Sequence, residues 1–276
     1  MYSNLVHLEF LRLMKSRYFK AAVSLAAFFM LFFFMFFHYS LVDYLPELAN
    51  VYIDRGITHQ VAMGNVAVNV CWVIALIAVI FVTCDYYKYR LYVNFHSQLK
   101  NKIKHCSTEF AGYFLFSGVL AFFPVMVMFL VAFLDKRSLF TSIPRALIIY
   151  LAVVAVIFIS GMPGFFFAKL TRRVWPTVIC YILSIFGSIF FVGFLGGGLF
   201  AVGSDVEAIN VDLIMGSTAY TYAISVITPE NALLQWAMKS VPDTSFDMAR
   251  VLFNYIALCL FWLCACSLVT KRRGDK

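Results

Sequence analysis

Six stretches of this chain, residues 21–42, 56–84, 110–134, 146–168, 174–204 and 251–270, contain no Asp, Glu, Lys or Arg. Each can hold the roughly 20 apolar residues that carry an α-helix across about 30 Å of hydrocarbon. A bilayer admits only helices or closed barrels, because every backbone polar group must be satisfied within the protein. Barrel strands alternate over about ten residues, whereas "FFMLFFFMFF" and "ALIIYLAVVAVIFI" are apolar on every face, as lipid-embedded helices are. Charged residues make up 13% of the 276, about half the share of an ordinary soluble domain. The sequence therefore predicts an all-α integral membrane protein with one domain over 1–276 and six transmembrane helices at about 21–42, 62–84, 110–134, 146–168, 174–200 and 251–270.

Charge sets the expected orientation. With the N-terminus inside, the inner segments hold sixteen Lys and Arg against four acids, and the outer ones six against ten. The net charges of +12 and −4 together make the chain's +8. Basic residues favour the cytoplasmic side, so both termini are expected in the cytoplasm, with Lys136, Arg137 and Arg145 as a local exception. The excess of positive charge describes topology and gives no reason to expect nucleic acid. The first apolar run reads as a retained helix, since 21–37 is longer than a signal-peptide core and no small-x-small cleavage site precedes "HYSLVDYLPE". None of the seven cysteines falls in an outer loop, where an oxidising compartment could pair it. They read as packing residues, and "CAC" at 264–266 has the wrong spacing for zinc.

Three segments outside the spans carry a pattern. In "NLVHLEFLRLMKSRYFK", Leu5, Leu8, Leu11 and Phe19 lie towards one side and Glu9, Arg12, Ser16 and Lys20 on another, predicting an amphipathic helix in the inner headgroup layer; a plain extension of the first span is the alternative. The long outer segment contains "LIMGSTAYTYAISVITPENALLQWAM". A full crossing there would put the "KRR" tail outside, against the charge rule. A re-entrant helical hairpin over 205–245 fits better, with Tyr220 and Tyr222 in its first arm. Thr228 and Pro229 are placed as N-cap and first residue of the second arm, and Trp236 as its interfacial anchor. The third segment is the inner connector 85–109, basic and rich in tyrosine. Tyr89, Tyr92, Phe95 and His96 are candidate anchors for a docking pocket, rimmed by Lys88, Arg90, Lys100, Lys102 and Lys104. The same charges also suit anionic headgroups.

Catalytic motifs are missing. There is no HExxH, no GxSxG and no P-loop. "FISG" with Ser160 lacks the leading glycine of an intramembrane serine motif, and "GFLGGGLF" has no following Lys-Ser or Lys-Thr. Gly193 and Gly197, one turn apart, instead permit close helix approach. With all six spans drawn free of charge, ion-coupled carriers and proton pumps are not expected. Catalytic, metal and directly bound cofactor sites are not expected either, so uphill transport would draw on another polypeptide.

The layout resembles the permease subunit of ABC-2 exporters: amphipathic "EFLRLMKSRYF", six spans, a long basic first inner loop, and an outer hairpin before the last span. In that family the first inner loop carries a coupling helix, in a "G-T-x-K-N... S-R-x-K-I" context. Here Asp85, Asn94, Lys102 and Ile103 stand at comparable spacings; the Gly-Thr is absent and Lys replaces the Arg. The resemblance implies a permease dimer with two copies of a cytoplasmic ATPase, ATP and magnesium residing on that partner. It implies export of amphipathic cargo such as antimicrobial or cytolytic peptides across a bacterial plasma membrane. A membrane anchor or sensor that recruits a signalling partner through the same loop is the alternative.

Overall fold

The computed structural model describes residues 2–48, 55–89, 102–135, 143–193 and 248–274. They fold into seven helices: α1 Tyr2–Lys15, α2 Arg17–Leu48, α3 Arg55–Lys88, α4 Lys102–Asp135, α5 Ile143–Thr171, α6 Val174–Gly193 and α7 Met248–Gly274. Three contain stretches long and apolar enough to cross a membrane, Val66–Lys88, Ile103–Leu134 and Ile143–Thr171. Two contain shorter apolar stretches, Val174–Ser188 and Tyr255–Thr270. This is the all-helical architecture of a membrane protein. The expected hairpin at 205–245 and the end of the fifth predicted span, 194–200, lie outside the described residues.

Side-chain contacts fix how the helices run. Arg17 at the start of α2 meets Asp85 near the end of α3 at 3.6 Å. The Tyr86 hydroxyl lies 3.0 Å from His105 near the start of α4. Glu109 of α4 pairs with Lys169 at the end of α5. Cys84 lies 3.8 Å from Thr177 near the start of α6, and Cys106 lies 3.5 Å from Thr270 near the end of α7. Helices α2 to α7 thus alternate in direction, and their basic ends collect at one end of the bundle.

Local chemistry explains the breaks. Ser16 separates α1 from α2, and its hydroxyl accepts from the Tyr18 N–H at 3.3 Å, as an N-cap does. Between α5 and α6 the chain reverses through Arg172, whose φ of 59° is left-handed, a conformation in which helices often stop. The Thr177 hydroxyl then accompanies the first turn of α6, donating to the Arg173 carbonyl at 2.7 Å.

Helices α3, α4 and α5 form the centre, with α5 the most enclosed: Ile149, Val153, Val156, Ile157 and Met162 have no exposed surface. The outer helices turn apolar residues away from the protein, Phe28, Leu31 and Phe32 on α2 and Trp175, Leu183 and Phe190 on α6. Such faces are stable against hydrocarbon rather than water.

The structure corrects the expectation at the inner connector and at the N-terminal helix. Of the segment 85–109 only part is a connector, because α3 runs on to Lys88 and α4 begins at Lys102. Each of these helices has 34 residues, about 50 Å at 1.5 Å per residue, well beyond the hydrocarbon thickness. Their charged ends therefore extend the bundle as helix. The polar side of the N-terminal helix also faces differently from a freely solvated one. Glu9 and Leu13 are buried in the bundle while Leu8, Leu11 and Met14 are exposed. The reason is a set of charges waiting beneath α1.

Candidate functional site

The basic end of the bundle encloses a cluster of ionisable side chains drawn from four helices. Glu109 stands two turns into α4 and Lys169 in the last turn of α5, where the chain exits an apolar run. A lysine at such a position usually reaches out towards headgroups. Here the side chain points inward, has no exposed surface, and donates to Glu109 Oε2. Its Nζ also lies 3.4 Å from Cys106 Sγ and 4.9 Å from the centre of the Phe165 ring. An isolated buried ammonium would cost several kcal/mol, and the carboxylate with these softer contacts offsets it.

His105 precedes Glu109 by one turn. Its Nδ1 lies 3.4 Å from the same Oε2, and its Nε2 lies 3.0 Å from the Tyr86 hydroxyl. Oε2 can only accept, so Nδ1 faces it as a charge contact without hydrogen-bond geometry, and the direction of the Tyr86–Nε2 bond follows the tautomer of the ring. From α1, Glu9 and Arg12 pair with each other one turn apart, and the Arg12 guanidinium stacks 4.3 Å from the Tyr86 ring centre. Glu9 sits against Gly112: a Cβ there would meet Glu9 Cγ at 2.9 Å and Leu13 Cδ1 at 3.3 Å. Only glycine lets α1 lie this close. Burial pushes the Glu9 carboxyl above its ordinary range; Arg12 pulls it down and Glu109 pushes it further up.

Between α1, α3 and α4 is a cleft lined on its polar side by Glu9, Arg12, Thr83, Glu109 and Tyr113. A water's centre can reach about 20 Å³ of it, enough for single waters and too small for a drug-sized molecule. The buried polar positions of α4 continue inward one turn at a time, His105, Glu109, Tyr113 and Ser117. Tyr113 donates to the Ile157 carbonyl of α5 at 3.2 Å. Among the described residues no grouping of His, Cys, Asp or Glu could hold a metal ion.

Of the residues singled out in the sequence, Lys88 and Tyr89 are exposed at the end of α3, with Lys88 Nζ 5.5 Å from the Tyr89 ring centre. Lys102 opens α4 and Gly193 closes α6. Arg90, Tyr92, Phe95, His96, Lys100, Gly197, Tyr220, Tyr222, Thr228, Pro229 and Trp236 lie outside the described residues. The cluster itself was not among the expected sites. Its signal was the four-residue spacing of His105, Glu109, Tyr113 and Ser117, which places them on one helix face. Compared with protein-family models, with curated proteins and with solved structures, the chain finds no match.

Proposed function

We propose that this chain is the membrane-spanning subunit of an ATP-driven exporter of the ABC-2 kind, with six spans and both termini in the cytoplasm. In this reading two copies form the path, and each docks an ATPase that holds ATP and magnesium. The observation that carries it is mechanical: α3 and α4, which flank the basic connector, are tied at that end to α1, α5, α6 and α7 through side-chain contacts. A force applied by a docked partner would therefore pass into the whole bundle. The apolar aromatic faces suit amphipathic cargo, with antimicrobial or cytolytic peptides as the class to test first, in a bacterial plasma membrane.

Purification of the tagged chain from its native membranes should bring down an ATPase with Walker motifs. Tyr92→Ala combined with Phe95→Ala should weaken that association roughly thirtyfold, as loss of a central anchor worth about 2 kcal/mol does, while membrane insertion persists. A signalling kinase in place of the ATPase would favour the anchor reading. Topology has its own check. A lone cysteine at Asp205 should react with an impermeant maleimide applied outside intact cells, and one at Gly274 should stay unlabelled. Labelling at Gly274 would rule out an even number of spans with a cytoplasmic N-terminus.

A further inference from the structure

We propose that the cleft between α1 and α4 is a proton-binding site, in which Glu9 takes up one proton as α1 seats on the bundle and returns it to water when α1 lifts away. The site is distinct from the connector and stands whether or not an ATPase docks there.

Two carboxylates, Glu9 and Glu109, line one cleft of water size. Their surroundings differ. Glu109 is held between Lys169 and His105, whereas Glu9 has Arg12 alone, and that guanidinium is shared with the Tyr86 ring. The groups that act on Glu9 are thus Arg12 from its own helix and His105 and Glu109 from α4. Tyr86 and Thr83 of α3 and Lys169 of α5 complete the shell through Arg12, the cleft and Glu109. Glu9 is the natural carrier, because it is the carboxylate with the fewer cations about it and it sits on the helix that covers the cleft.

The sign follows from burial. Seating α1 removes Glu9 from water and raises its pKa; lifting α1 restores the ordinary value of about 4.3. Seating is therefore strongest in acid. It weakens as pH rises from the ordinary value towards the raised one, because ionised Glu9 must then be desolvated. Leu8, Leu11 and Met14 face outward on α1, so a lifted helix could stay in the headgroup layer.

Infrared titration of the intact protein in lipid nanodiscs tests this without a transport partner. The wild type should show a protonated-carboxyl band that persists above the ordinary carboxylate range, and Glu9→Gln should lose that one band. Glu109→Gln should move its midpoint to lower pH, since a repelling charge is removed. Gly112→Leu, which props α1 away through the 2.9 Å contact, should return the midpoint to about 4.3. Absence of such a band in the wild type, or its survival in Glu9→Gln, overturns the site. An unchanged midpoint in Gly112→Leu overturns the link to α1 seating.

Discussion

Lys169→Ala should destabilise the bundle by about 3 to 5 kcal/mol, because it strips the buried Glu109 carboxylate of its closest cation. Glu109→Ala should cost a similar amount by stranding the ammonium. Replacing both, as Glu109→Leu with Lys169→Met, should recover most of the loss, since an apolar pair of similar volume removes both desolvation penalties at once. Arg17→Ala is the control: its side chain is 75% exposed and lies 3.6 Å from Asp85, so its loss should leave stability almost unchanged. Unfolding in mixed micelles with rising SDS would measure all four. A Lys169→Ala protein as stable as the wild type would mean that the pair is not buried as described. A double variant no better than the singles would assign the loss to packing.

How much of this was legible in the sequence depends on which link is asked. Helix content and the apolar spans follow from long uncharged runs, because hydrocarbon tolerates little else, and 110–134 and 146–168 fall inside α4 and α5. The charged residues just beyond those runs were assigned to water for the same reason. Drawing spans as charge-free runs ended the fourth at 168 and began the third at 110, which placed Lys169 and Glu109 outside by construction. Their partnership is invisible one helix at a time, since sixty residues separate them. Glu9 and Arg12 posed a similar problem: an amphipathic pattern shows that two faces differ, but not that the polar one covers a buried carboxylate. Gly112 is equally unremarkable until α1 lies against it. The connector and the outer hairpin remain readings of charge and cap chemistry alone.

Gly161→Ala should be the most damaging single-methyl change in the centre of the bundle. A Cβ at this position would lie 1.8 Å from the Tyr113 hydroxyl and 2.8 Å from its Cζ. The ring cannot step aside cheaply, because its hydroxyl is tied to the Ile157 carbonyl at 3.2 Å and its faces pack beside Phe116 and Phe158. Relief requires α4 and α5 to separate, with loss of that hydrogen bond and of packing along the interface. Overpacking of this sort costs about 1 to 3 kcal/mol, and stranding a buried hydroxyl adds about 1 to 3 more. Gly164→Ala, one turn along the same helix, offers the contrast. Its nearest neighbour is Leu76 Cδ1 at 2.3 Å, the tip of a flexible side chain that can change rotamer, so its cost should stay near the lower end of the overpacking range. Tyr113→Phe should rescue Gly161→Ala only in part, because removing the oxygen leaves Cζ still too close, whereas Tyr113→Leu should rescue it further. Apparent melting temperatures in one detergent would rank the variants. If Gly161→Ala and Gly164→Ala melt together, the tyrosine seat is not what sets the α4–α5 separation.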